Sequence, residues 1–163
     1  YSVITGLDRE GNVVFYDRFK KVGQDLINHI CETVKDAPAY IDKTGGGITV
    51  YELCKSKCPN MLPYSFTSAT KNVVIETLAH YVNNCKISYP YIEELLTELE
   101  CYEVETSPRG VVSYKNGRGA SHDDTVISLG LACLALKEGE ELFAQEKEFN
   151  IFSIPAPSFI NWG

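Results

Sequence analysis

The 163-residue sequence alternates short β-rich runs with stretches of helical period. Residues 1–7 and 13–19 are rich in β-branched and aromatic side chains and flank Asp8-Arg9-Glu10-Gly11-Asn12, which predicts a hairpin. Between 22 and 35, Leu26, Ile27, Ile30, Cys31 and Val34 recur with helical spacing and predict one apolar stripe. A polar break, Lys35-Asp36-Ala37-Pro38, precedes a short strand ending at Asp42, and a helix is expected over about 48–57. Cys58-Pro59-Asn60 separates that helix from a strand at 61–65. A third helix over 70–83 carries Val73, Val74, Leu78, Tyr81 and Val82. Residues 86–88 are a candidate strand, and 91–100 form an amphipathic helix on Ile92, Leu95, Leu96 and Leu99. Runs 102–106 and 111–114 flank Ser107-Pro108-Arg109-Gly110, a second hairpin signal. A helix from about Asp123 to Lys137 is the most apolar element and closes the core. Beyond it, 138–148 is charged and helix-permissive, and the end of the sequence is punctuated by prolines and aromatics.

Two places in this pattern carry unusual polar residues. Gly119-Ala120-Ser121-His122-Asp123-Asp124 opens directly into the apolar run 125–136. At such a start Ser121 or Asp123 can cap the unpaired N–H groups, and the helix dipole tolerates negative charge. Capping explains one Asp but not two together with a His, because adjacent carboxylates repel unless something positive compensates. A divalent cation is the usual compensation, with oxygen ligands suited to magnesium or manganese; the alternative is a doubly acidic cap exposed to water. The second place is Asp42, followed by Lys43-Thr44 and Gly45-Gly46-Gly47. An acid at the C-terminal end of a strand, before a glycine-rich turn into a helix, is where open α/β sheets place ligands. The turn lacks the Lys-Ser/Thr ending of a phosphate-binding P-loop. Together the two sites point to a metal–carboxylate centre.

Composition narrows the class. Hydrophobic content of 44% and charged content of 23% are ordinary for one globular domain. No apolar stretch approaches the roughly 20 residues of a membrane span. Cys31, Cys54, Cys58, Cys85, Cys101 and Cys133 show no paired zinc spacing and are read as reduced thiols of a cytosolic protein. The net charge of −7 does not favour nucleic acid. Much of the acid, however, lies in 93–105 and 138–148, while Lys43, Lys71 and Arg118 fall near the proposed site. His29 and His80 sit on predicted helices with no acidic constellation nearby and are read as structural.

Initial hairpins, then α/β units with a carboxylate at a strand end and another on the last helix, are the layout of the ribonuclease H-like fold. The sequence resembles the C-terminal nuclease domain of the large terminase subunit of tailed bacteriophages over about 140 residues. The resemblance rests on Tyr40-Ile41-Asp42-Lys43-Thr44-Gly45-Gly46-Gly47, on Phe66-Thr67-Ser68-Ala69-Thr70-Lys71 with the helix through Leu78 to Lys86-Ile87, and on His122-Asp123-Asp124 before a small-residue apolar helix. It implies a ribonuclease H-like mixed sheet flanked by helices, with a β-hairpin insertion before the last core helix. Residues 1–149 would form this domain and 150–163 a tail that either packs on the domain or docks partners. The first strand of the fold, with its catalytic Asp, would lie outside the sequence, since residues 1–8 match the second strand and its turn. Asp8 is at the wrong end of that strand and in turn-forming company.

The implied activity is metal-dependent endonucleolytic cutting of concatemeric double-stranded viral DNA during genome packaging. Asp42, Asp124 and Asp123 would bind magnesium or manganese, two ions in a complete site, with His122 positioning water or phosphate. Lys43, Lys71 and Arg118 are the candidate DNA contacts. Implied partners are the ATPase domain of the same polypeptide, the portal and the small terminase subunit, in the host cytoplasm and without a membrane. The alternatives are another ribonuclease H-like nuclease, of transposase or resolvase type, and a non-catalytic docking module of the packaging motor.

Overall fold

In the computed structural model, which describes residues 1–106, 112–117 and 122–152, strands β1 (Ser2–Leu7) and β2 (Val13–Phe19) form the predicted antiparallel hairpin. Asp8 closes its turn: one carboxylate oxygen accepts from the Glu10 and Asn12 N–H groups at 3.1 and 2.7 Å. Hydrogen bonds from Asn12 hold this carboxyl below its ordinary range, so Asp8 is a turn residue here.

Helix α1 (Gly23–Val34) buries Ile27 and Ile30 from the predicted stripe. Strand β3 (Ala39–Asp42) runs parallel to β4 (Met61–Tyr64), in register from Ala39 opposite Met61 to Asp42 opposite Tyr64. Helix α2 (Gly47–Cys54) is the crossover that parallel neighbours require. Helix α3 (Ser68–Asn83) starts at a reciprocal capping box between Thr67 and Thr70. Helix α4 (Glu93–Glu100) leads into the second hairpin, β5 (Tyr102–Thr106) and β6 (Val112–Asn116), which precedes α5 (Asp124–Phe152).

The expected mixture of strand directions is present, as three two-stranded ladders rather than one continuous sheet. Residues 86–88 contribute a single parallel bridge, Asn12 to Ser88, instead of a strand. Helix α5 joins the pieces. Its Leu129, Val126 and Cys133 pack with Ile75, Leu78 and Tyr81 of α3 and Leu95 of α4, while Leu131 and Leu134 meet Tyr40, Tyr64 and Phe66 from the β3–β4 side. Ser128, which interrupts the apolar run, hydrogen-bonds Thr5 Oγ1 at 2.9 Å and donates to the Val3 carbonyl at 3.3 Å, tying β1 to the same helix. The helix continues past Lys137, where the apolar pattern stops, because 138–148 is rich in Glu, Ala, Gln and Lys and one Gly139 costs only about 1 kcal/mol. Among the described residues no helix is long and apolar enough to cross a membrane.

A second core holds the thiols. Cys54 and Cys58 are fully buried beside Ile27, Ile30 and Met61, and the partly buried Cys31 packs against them. All six cysteines are free. Burial pushes the thiols of Cys54 and Cys133 up to about 12 and that of Cys58 to about 11, from an ordinary value of 9.0. These groups hold their protons more tightly when folded, so their contribution is intact below pH 9 and is lost as pH rises towards 12. Two outcomes are expected. The melting temperature falls progressively above pH 9, and Ellman's reagent at neutral pH modifies exposed Cys85 quickly but Cys54, Cys58 and Cys133 only on unfolding.

Among the described residues His29 is held by a single ion pair, not by an acidic cluster. Its Nε2 lies 2.7 Å from Asp17 on β2, and its Nδ1 lies 3.3 Å from the Lys21 ammonium. The pair spans two elements, so helical spacing alone could not reveal it.

Candidate active site

Asp42 sits at the C-terminal end of β3, exposed, where the parallel ladder with β4 ends. Its Oδ1 accepts from the Thr44 N–H at 2.7 Å, an Asx-type turn that aims the chain away from the strand. The Thr44 hydroxyl accepts from Phe66 N–H at 3.2 Å, and the Thr44 carbonyl from Gly47 N–H at 3.1 Å. The glycines have distinct tasks. Gly45 adopts φ +57°, a left-handed turn conformation, and Gly47 lies so close to the strand end that a Cβ would sit 2.0 Å from the Asp42 carbonyl oxygen. The side chain of the half-buried Lys43 has no partner among the described residues.

The other half of the candidate site is the start of α5. Asp123 occupies the position where a helix cap belongs, and its carbonyl accepts the Ile127 N–H at 2.9 Å. Its carboxylate instead pairs with Lys71 of α3 at 2.6 Å and accepts a hydrogen bond from the Tyr102 hydroxyl at 3.3 Å. Lys71 therefore faces an Asp across two elements, and its ammonium lies 5.8 Å from the centre of the Tyr102 ring. Burial first, then the Asp123 charge, raises the Tyr102 hydroxyl above its ordinary range and keeps it a donor at neutral pH. Asp124, half-buried in the first turn, has no side-chain partner among the described residues, and exposed His122 has none either. Arg118 lies outside the described residues.

The cap comes from Glu98 of α4, which the sequence pattern left on an acidic surface. It is 6% exposed, and a single oxygen, Oε2, accepts from Thr125 N–H at 2.9 Å, Thr125 Oγ1 at 2.6 Å and Val126 N–H at 3.3 Å. A signal for it existed: Glu98 is three residues after Leu95, on the face that α4 buries.

Asp42, Asp123 and Asp124 offer hard carboxylate oxygens, the donor type magnesium and manganese take. In kind they fit a divalent cation. In number they do not complete a two-ion cluster: among the described residues no group of three or more His, Cys, Asp or Glu side chains converges on one point. The contacts bring Asp123 and Lys71 together, and none of them joins Asp42 to Asp123 or Asp124.

The model of the terminase RNaseH-like domain matches residues 23–136. Among curated proteins none matches the sequence. Among solved structures, the chain is similar to the large terminase nuclease from thermophilic phage G20c with bound cobalt, at 22% identity over 82% of this chain and 80% of that one, with a TM-score of 0.67. The magnesium-bound nuclease from that phage aligns at 23% identity over 82% and 80%, with a TM-score of 0.65. The large terminase nuclease domain of Thermus phage P74-26 aligns at 21% identity over 80% of this chain and 77% of that one, with a TM-score of 0.57. At such identities the structural likeness is one of fold. The family match spans most of the sequence, from α1 through the apolar part of α5, and on that ground the chain belongs to the terminase RNaseH-like domain family.

Proposed function

We propose that this chain carries the nuclease of a phage large terminase, a metal-dependent endonuclease that cuts concatemeric double-stranded DNA during packaging. The observation that carries the reading is Asp124: a half-buried carboxylate at the positive end of a long helix, without a partner among the described residues and relieved of capping by Glu98. Family membership supports it. So do the cobalt and magnesium bound to the G20c nuclease.

Asp42 and Asp124 are the proposed ligands of magnesium or manganese, with Asp123 as a further ligand that Lys71 neutralises until a cation competes for it. A bound ion would polarise the phosphoryl oxygen and lower the pKa of a coordinated water. The protein's own groups do the rest. The Asx turn at Thr44 fixes the direction of the Asp42 carboxylate, and His122 is the proposed group to hold water or phosphate. Lys43, Lys71 and Arg118 are the proposed contacts to the DNA backbone. Such contacts position a duplex without reading it, so cutting has little sequence preference.

Residues 1–149 are proposed as the nuclease unit and 150–163 as a segment that packs on it or docks partners. The proposed partners are the ATPase domain of the same polypeptide, the portal and the small terminase subunit, in the host cytoplasm. Incubating supercoiled plasmid and manganese with the full polypeptide proposed to carry this chain tests the activity: nicked and linear products are expected, and intact plasmid at every manganese concentration would refute it. Lys43→Gln should weaken DNA binding equally for all sequences and lower the salt slope by about one unit, read by binding titrations at several salt concentrations.

A further inference from the structure

We infer that Glu98 is a positioning residue of the proposed site: by capping α5 from α4, it keeps the carboxylates of Asp123 and Asp124 off the helix end, Asp123 held by Lys71 until a cation competes and Asp124 uncommitted among the described residues. The inference rests on the nuclease reading. Its physical basis is an arrangement that runs against the simpler local solution. Asp123 stands at the cap position and is among the best capping residues. Had its carboxylate taken the N–H groups of Thr125 and Val126, no second element would be needed. Instead a carboxylate from another helix, 6% exposed, is taken out of water to do so, which is unfavourable unless hydrogen bonds replace its hydration. Three donors on one oxygen supply that replacement.

Two consequences follow. Asp123 turns outward to Lys71 at 2.6 Å, and Asp124 remains uncommitted among the described residues. Because Glu98 also grips the Thr125 hydroxyl, it fixes the rotation of the first turn of α5 about its own axis, and with it the direction in which Asp124 points. Groups one step behind metal ligands commonly tune affinity in this way.

The test compares Glu98→Ala with Glu98→Gln, which keeps an acceptor oxygen, in the whole chain. Folding is checked by circular dichroism, exchange of the Thr125 and Val126 amides by NMR, and manganese affinity by water-proton relaxation. Glu98→Ala should speed exchange of both amides, move Asp123 from Lys71 onto the helix end in a crystal structure, and weaken manganese about 10- to 100-fold. Glu98→Gln should restore most of that affinity. Fast amide exchange with unchanged manganese affinity would reduce Glu98 to a structural cap and overturn the inference, as would a Gln variant as damaged as the Ala variant. If Glu98→Ala fails to fold, Thr125→Val, which removes one donor from Glu98 at constant size, carries the test: a smaller loss of manganese affinity supports the inference and none overturns it. Absence of manganese binding by the full wild-type polypeptide proposed to carry this chain would refute the nuclease reading by itself. The positioning role would then stand or fall on whether Asp123 leaves Lys71 in Glu98→Ala.

Discussion

Asp124→Ala is expected to lower manganese-dependent plasmid cleavage by about 100- to 1,000-fold while leaving the protein folded. The size follows from the several kcal/mol of charge stabilisation at stake when a ligand is lost, at a factor of ten for each 1.36 kcal/mol. The effect on stability is small because the side chain has no partner among the described residues. What Asp124 contributes to the fold is its attraction to the helix N-terminus, about 0.3–1 kcal/mol. A melting temperature within a few degrees of wild type, together with lost cleavage, separates a functional acid from a structural one. Equal cleavage by the two proteins would remove Asp124 from the mechanism.

The second large effect is expected at Gly47, where Gly46 provides the control. A methyl group on Gly47 would lie 2.0 Å from the Asp42 carbonyl oxygen, whereas one on Gly46 meets nothing within 4 Å. Gly47→Ala must therefore push the start of α2 and the end of β3 apart. A forced fit of this kind costs about 1–3 kcal/mol, and a displacement of about 1 Å at a reacting group costs on the order of 100-fold in rate. Gly46→Ala, at a helical φ of −67°, should leave cleavage unchanged and stability equal or slightly raised. Urea unfolding and plasmid cleavage on the two variants give the comparison. Equal effects would show that the glycine turn does not hold Asp42 in place.

Much of this was legible in the sequence where local pattern and local chemistry coincide. The Asp8 turn, the strand ending at Asp42 and the start of α5 at Asp123-Asp124 were visible because each is settled within a few residues. Pairings between elements were not. The Lys71–Asp123 pair forms only when α3 packs beside the start of α5, and the His29–Asp17 pair only when β2 comes against α1, so neither pairing shows in local spacing. Glu98 was hidden by composition: within an acidic stretch it looks solvated, and only its spacing from Leu95 indicates a buried face. The length of α5 was underestimated because its second half is held by helix propensity, which leaves no apolar period to read.

The reach of α5 also bears on the tail. Because the helix runs to Phe152, it overlaps the start of the proposed tail, 150–163. A truncation meant to test docking is therefore better placed after the helix than at residue 150, where it would shorten the helix itself.

The central claim is that Asp42 and Asp124 hold one divalent ion between β3 and the start of α5. Anomalous diffraction from crystals grown with manganese addresses it most directly. The expected result is a manganese peak with carboxylate oxygens of both residues at about 2 Å, the distance hard oxygen ligands keep from a small divalent cation. A peak bound elsewhere, or carboxylate oxygens of Asp42 and Asp124 more than about 5 Å apart with the ion present, would contradict it, since one ion about 2 Å from each oxygen could not reach both.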